Sequence, residues 1–334
     1  MTVSICEEMN PLRRNTMEDV HAFYAPGSWS APDPNATFIG VYDGHGGRSI
    51  VDYLDDHLVV NVANEWKHSC GNGDGQSKKR RLDDEDREKV VTANDDAKEE
   101  GHPILTVLER AFLLTDIESR MEGIETSGAT VACCVIVPHY DAPQNKLESI
   151  AIHCANAGDA RIVLSSSSTT GRSAPSAKRK VGKSSAVRLT CDHKATDPKE
   201  ISRIQSAGGM MLRGRVLGVL AVARSLGDHG LKEFVIGRPY LSSTVVNIEK
   251  SINRSNEGTE RRNAPFTDGE FLIVACDGLW DVVDDQEAVD LVRNFVDVSD
   301  NTEDDKRERS ARFLIDEALR RGSTDNITVI VYWL

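Results

Sequence analysis

Asp-Gly occurs four times in the chain, at Asp43, Asp74, Asp268 and Asp277. As a dipeptide it ordinarily marks a turn. Two of the four stand apart. Asp43 directly ends the apolar run Phe38-Ile39-Gly40-Val41-Tyr42, and Asp277 directly ends Phe271-Leu272-Ile273-Val274-Ala275-Cys276. A carboxylate at the end of a buried strand is held rigidly at a sheet edge. The glycine after it lets backbone carbonyls come close to whatever the carboxylate binds. Other acids fall in comparable places. Glu18 and Asp19 lie just before a strand-like stretch, Asp159 ends another strand, Asp281 follows Asp277 by four residues, and Asp325 stands before the last apolar run. Carboxylates gathered this way suit a hard cation such as Mg2+ or Mn2+, which prefers oxygen donors. The cysteines and histidines are too scattered for a zinc site.

The elements that must position these acids are legible as patterns. Short β-branched, apolar runs at 36–42, 129–137, 149–154, 161–164, 186–190, 216–222, 270–276 and 327–333 predict strands, several of them buried on both faces. Ile50, Leu54, Leu58, Val62 and Trp66 recur every four residues and predict a helix. Further helices are expected over 104–121, from Thr196-Asp197-Pro198 onward, over 286–296 and over 306–320. Strands and helices do not alternate strictly, so a purely parallel sheet is not expected. Residues 68–102, 165–185 and 250–265 are polar and read as flexible surface insertions. None of them separates two self-contained patterns, which favours one decorated domain over 1–334. There are no internal repeats.

Composition excludes several classes. The 334 residues carry 53 Asp+Glu against 40 Lys+Arg, a formal net charge of -13. That balance argues against generic nucleic-acid binding through charge. No apolar run approaches the ~18 residues of a membrane span, and no signal peptide is expected from the N-terminal sequence. Seven cysteines, with no Cys-x-x-Cys pair, read as reduced thiols of a cytoplasmic or nuclear protein. Residues 281–305 hold ten acids and one base, whereas 165–185 hold five bases and no acid, so the charge reports an acidic flank and a basic loop.

Arg14-Asn15-Thr16-Met17-Glu18-Asp19, Asp43-Gly44-His45-Gly46-Gly47, Ser127-Gly128-Ala129-Thr130, Gly158-Asp159-Ala160-Arg161, Asp192-His193-Lys194, Ala207-Gly208-Gly209, Ala223-Arg224-Ser225-Leu226-Gly227-Asp228, Asp277-Gly278-Leu279-Trp280-Asp281 and Asp325-Asn326 follow one another along the chain. In this order they resemble the metal-dependent protein phosphatases of type 2C, from about Thr2 to Leu334. One such motif is weak; nine in order are specific. The stretches from Leu226 to Pro239 and from Cys276 to Gln286 look most like small fungal members that damp stress-activated kinase cascades.

The resemblance implies an α+β fold, a four-layer α-β-β-α sandwich of two mainly antiparallel sheets flanked by helices, with the metals at one end. It implies that Asp43 bridges two Mg2+ or Mn2+ ions and that the Gly44 carbonyl binds one of them. Asp277 and Asp325 would complete the first site, Glu18 would serve the second, and Asp19 would hold metal-bound waters. Asp159 and Asp281, with Asp277, match a weaker third site of some relatives. Arg14 would clamp the substrate phosphate and His45 would be the general acid.

The implied reaction is hydrolysis of phosphoserine and phosphothreonine in proteins. Two metals ~3.5–4 Å apart lower the pKa of a shared water enough to make a hydroxide nucleophile. The leaving alkoxide needs a proton, and histidine, with a reference pKa of ~6.5, can hold one near neutrality. Arginine matches phosphate oxygens with a fork of donors. Arg13 could share the role of Arg14, while His193 and Lys194 are expected to serve structure. The expected partners are phosphorylated proteins, kinases of a stress cascade among them, with no nucleic acid, no membrane and a monomeric state.

Other signals fail. Gly182-Lys183-Ser184 has Ala177 where a phosphate loop needs its first glycine. No Cys-x5-Arg motif supports a cysteine phosphatase. Gly227-Asp228-His229-Gly230 resembles another two-metal phosphoesterase class, whose Gly-Asn-His motif is absent. Lys78-Lys79-Arg80-Arg81 reads either as a nuclear import signal or as a solvated loop. Two further readings stay open: a catalytically weak binding module, and a two-metal hydrolase of another phosphate ester. The chain departs from the family in lacking a glycine before the Arg14 motif. It also lacks the tryptophan between Gly209 and Gly218 that hormone-receptor-regulated plant members carry.

Overall fold

The structure is a computed structural model that describes residues 2–71, 103–141, 145–166, 185–247, 270–298 and 303–334. Thirteen strands among the described residues are numbered in chain order. One sheet runs β1 (Thr2–Glu8), β13 (Ile327–Trp333), β12 (Phe271–Ala275), β6 (Arg161–Ser166) and β7 (Ser185–Arg188). The other runs β11 (Tyr240–Asn247), β5 (Lys146–Ala157), β4 (Gly128–Asp141), β3 (Thr37–His45) and β2 (Asp19–Tyr24), and the short β10 (Leu226–Gly227) also pairs with β4. Every pairing in both sheets is antiparallel.

The two-residue period of a strand explains the layering. On β3, Ile39 and Val41 face the other sheet, where Leu272, Val274, Ile330 and Tyr332 meet them. Phe38 and Tyr42 face outward beneath α1 (Ser49–Gly71) and α2 (Pro103–Met121), against Leu54, Leu58, Val62, Leu108 and Phe112. On β12, Phe271 and Ile273 face outward against Val289, Val292, Leu314 and Ile315. Those four come from α5 (Asp285–Val298) and α6 (Glu303–Arg320). A strand buried on both faces needs apolar residues at every position, which is why these runs do not alternate in sequence. Each fully buried Leu or Ile of α1 stabilises this layer by roughly 1.5–3 kcal/mol. The result is the expected sandwich of two antiparallel sheets between helical layers.

Local chemistry sets several boundaries. The Asp197 side chain accepts from the backbone N–H of Lys199 and Glu200 and caps α3 (Pro198–Ser206), with its proline in the first turn. The strand predicted over 216–222 is not there. Only Arg215–Val216 (β9) is extended, and it pairs with Met211–Leu212 (β8). Leu217 then takes a left-handed φ of 50° and Val219 N–H bonds back to Val216 O at 2.8 Å, so the chain turns instead of continuing. Residues 68–71, read as loop, complete α1, while Ser165, Ser166 and Ser185 belong to β6 and β7. Otherwise the three expected insertions and the basic run at 78–81 lie outside the described residues. No helix among the described residues is long and apolar enough to cross a membrane.

Candidate active site

Three strand ends bring the acids together. Asp43 lies near the end of β3, where its register partners are Asp19 on β2 and Thr130 on β4. Asp159 lies in the turn from β5 to β6. Asp277 opens the short helix α4 (Asp277–Trp280), one residue beyond the end of β12. One oxygen from each of Asp43, Asp159 and Asp277 lies within 4.8 Å of the others. Gly158 makes the β5–β6 turn possible: its φ is +109°, and a Cβ there would lie 2.3 Å from Thr130 Cβ. A larger residue would push Asp159 away from the group.

Burial, and mutual repulsion after it, raises the affinity of these carboxylates for protons. Burial, then repulsion from Asp277, pushes Asp43 well above the usual carboxylate range. Burial pushes Asp277 up to about 8, with Asp159, Asp325 and Asp281 adding to it. Burial raises Asp19 to about 6, against the opposing effect of Thr328 Oγ1, which donates to Asp19 Oδ2 at 2.8 Å. Asp159 is likewise raised to about 6 by burial, opposed by Lys194. The Lys194 ammonium donates to Asp281 Oδ1 at 3.0 Å and stands 3.9 Å from Asp159 Oδ2. It therefore bridges the two acids assigned by resemblance to a third cation.

The remaining candidates ring this centre. Asp325 is outside the tight triplet; Arg14 Nη2 donates to its Oδ2, and Asn326 N–H donates to its Oδ1 at 2.8 Å. Arg14 is half exposed and also donates from Nε to the Thr324 carbonyl at 3.3 Å. Arg13 is exposed. Glu18 is fixed through its backbone N–H, which donates to Asn326 Oδ1 at 2.8 Å, and its Oε1 accepts from Thr16 Oγ1 at 3.2 Å. Gly44 and His45 close β3 opposite Ala129 and Gly128. His45 Nε2 lies 2.9 Å from Asp228 Oδ2. His193 is buried, accepts from Gly158 N–H at 3.2 Å and is lowered to about 4 by burial.

Two residues of the site carried no role in the sequence reading. Asn326 Nδ2 donates to the carbonyls of Met9 and Thr16 at 2.8 and 3.0 Å, tying the Glu18 segment to the start of β13. Asp228 faces His45. The Asp325-Asn326 pair and the Leu226-Gly227-Asp228 run were the available signals, but neither shows from sequence what it touches.

The Protein phosphatase 2C family model matches residues 6–327. The chain is 31% identical over 340 residues to protein phosphatase 2C homolog 1 of Saccharomyces cerevisiae, covering 99% of this chain and 93% of that protein. It is 34% identical over 327 residues to protein phosphatase 2C homolog 1 of Schizosaccharomyces pombe, covering 98% and 71%. The solved serine-threonine phosphatase 2C of Toxoplasma gondii superposes with a TM-score of 0.64 at 20% identity, covering 99% of this chain and 94% of that one. The acid centre, the sandwich that assembles it and these relatives converge: the chain belongs to the protein phosphatase 2C family of metal-dependent protein serine/threonine phosphatases.

Proposed function

We propose that the end of the sandwich holds two Mg2+ or Mn2+ ions through Asp43, Asp277, Asp325 and Glu18, with the Gly44 carbonyl and Asp19 assisting. In this reading Arg14 receives the substrate phosphate and His45 protonates the leaving oxygen. The carrying observation is the triplet Asp43, Asp159 and Asp277, with oxygens mutually within 4.8 Å. Two unit charges at that distance repel by about 3.5 kcal/mol at an effective dielectric of ~20. Burial first, and this repulsion after it, raises the proton affinities of Asp43 and Asp277. A hard divalent cation relieves it, and the donor set is all oxygen, so the residues fit the family's metals.

Bound cations would supply positive charge for the phosphate and activate a water as nucleophile. The chain's own residues do the rest. Hydrolysis forms a bond from phosphorus to the water oxygen and breaks the bond to the seryl or threonyl oxygen. That oxygen departs as a poor leaving group unless it gains a proton, which His45 supplies. Arg14, its guanidinium steadied by the Thr324 carbonyl, offers further donors to the phosphate oxygens. Asp19, fixed by Thr328, would hold waters of a bound cation with an oriented carboxylate.

The substrates in this reading are phosphorylated proteins, stress-cascade kinases among them, met by a monomer in the cytoplasm or nucleus. All seven cysteines are free thiols and four are buried, which supports a reducing compartment. Asp43→Asn tests the metal reading. It should abolish turnover of a phosphothreonine peptide and lower Mn2+ binding while the circular dichroism spectrum is kept. Full activity in that variant sinks the reading, as does turnover that persists in wild type after chelation and gel filtration.

A further inference from the structure

His45 and Asp228 are 183 positions apart in sequence and meet across the end of the second sheet. Asp228 Oδ2 lies 2.9 Å from His45 Nε2 and accepts from Ser225 Oγ at 2.5 Å. The Asp228 side chain is 6% exposed, against 31% for His45. Its backbone is left-handed, with φ 49° and ψ 37°, a conformation uncommon for a residue with a Cβ. Neighbouring contacts impose it. Leu226 and Gly227 pair with Ala129 and Gly128 on β4, Asp228 N–H donates to Ser127 O at 3.0 Å, and Gly227 N–H donates to Asp116 Oδ1 at 2.8 Å.

Gly128 explains where the carboxylate fits. A Cβ at that position would lie 2.0 Å from Asp228 Oδ2, so the carboxylate fills the space a side chain would take. Gly128 is also the register partner of His45. One residue is thus both the strand partner of the histidine and the floor beneath the carboxylate. Asp228 does not belong to the acid triplet of Asp43, Asp159 and Asp277. A buried carboxylate locked by a hydroxyl, a strand edge and an unusual backbone conformation, and aimed at one nitrogen of a half-exposed imidazole, is an orienting arrangement.

We propose that Asp228 is a positioning residue for the phosphatase reaction: its carboxylate, clamped by Ser225 and seated on Gly128, accepts the Nε2–H of His45 and fixes the ring so that Nδ1 serves the leaving oxygen. The inference rests on the reading of His45 as the proton donor. During turnover the Nδ1–H bond breaks, the proton goes to the seryl or threonyl oxygen, and the Nε2–H···Asp228 bond persists.

The test uses the full chain loaded with Mg2+ and two substrates, p-nitrophenyl phosphate and a phosphothreonine peptide. The variants are His45→Ala, Asp228→Asn, Ser225→Ala and the double variant His45→Ala/Asp228→Asn. We expect His45→Ala and Asp228→Asn to lose kcat on the peptide by about 10-fold or more beyond any loss on p-nitrophenyl phosphate, with KM within about twofold. Ser225→Ala should show a smaller loss in the same direction, and the double variant should be no slower than His45→Ala alone. Long-range 1H–15N spectra of the wild type, with the ring neutral, should show His45 protonated at Nε2.

If His45→Ala loses equally on both substrates, the reading of His45 falls and this inference falls with it. If His45→Ala discriminates but Asp228→Asn loses equally on both, or its loss adds fully in the double variant, His45 stands and the inference is overturned. A wild-type spectrum showing the proton at Nδ1 overturns it without any variant.

Discussion

Arg14 donates from Nη2 to Asp325 Oδ2, so the residue assigned to the substrate phosphate is bonded to a residue assigned to a cation. The two functions share one hydrogen bond. Asp325 has a second tie, accepting Asn326 N–H on Oδ1 at 2.8 Å, which would hold it if Arg14 turned to a phosphate.

Arg14→Ala should therefore act on both sides. Loss of a charge-assisted pair to phosphate, worth about 1.5–3 kcal/mol, should lower kcat/KM on a phosphopeptide by about 10–100-fold, mainly through KM. The Mn2+ concentration for half-activation should fall, because Asp325 loses a competing cation. Arg14→Lys should recover only part of kcat/KM, since an ammonium lacks the two-donor fork. Steady-state rates at saturating metal, with a parallel Mn2+ titration, check this, and unchanged kcat/KM in Arg14→Ala would refute it.

Lys194 holds Asp281 at 3.0 Å and Asp159 at 3.9 Å, and so supplies positive charge where a third cation would stand. Lys194→Met removes that charge and keeps most of the stem. The variant should bind an additional Mn2+ ion, or bind its weakest ion several-fold more tightly, as counted by electron paramagnetic resonance. A titration identical to wild type would show that the ammonium does not compete.

The acid centre should make stability depend on pH in a particular direction. Asp19 and Asp159 are raised from 3.8 to about 6, and Asp277 from 3.8 to about 8. A carboxyl raised on folding binds its proton more tightly in the folded chain than in the unfolded one. Its contribution is complete below the ordinary carboxylate value and is lost as pH rises through the raised one. Chelated protein should therefore melt lower at pH 8.5 than at pH 5, by about 5 °C or more. Mg2+ should shrink the difference, because the cations replace the protons. Differential scanning fluorimetry at both pH values, with and without Mg2+, reads the effect; a flat or rising Tm in the chelated protein contradicts it.

The sequence made some of this visible and hid the rest for physical reasons. Asp43 and Asp277 stood out because strands buried on both faces leave uninterrupted apolar runs, and each acid ends one. β11 escaped because it is an edge strand: Ser242-Ser243-Thr244 interrupts its pattern and Val245 is 55% exposed. The segment 216–222 looked like a strand by its β-branched content, yet Leu217 adopts a left-handed φ that composition does not encode. Asp228 was hidden by distance, since its meaning depends on His45 and Gly128, which come from remote parts of the chain.

Asn326 offers the sharpest test of how the site is assembled. Its amide donates to Met9 O and Thr16 O and its oxygen accepts Glu18 N–H, so one buried side chain satisfies three backbone groups of the segment that carries Glu18 and Asp19. Asn326→Ala leaves those groups without their partner and should cost about 2–4 kcal/mol of stability in urea denaturation. Because Glu18 is freed, Mn2+ binding should weaken too, and by more than the stability loss alone would explain at a temperature where the variant is fully folded. Asn326→Asp should be worse than Ala. It keeps the acceptor for Glu18 N–H but turns a carboxylate oxygen toward two carbonyl oxygens and adds charge beside Asp325. An Asp variant more stable than the Ala variant would show that the amide's two donors do not hold the segment, and that another contact sets the position of Glu18.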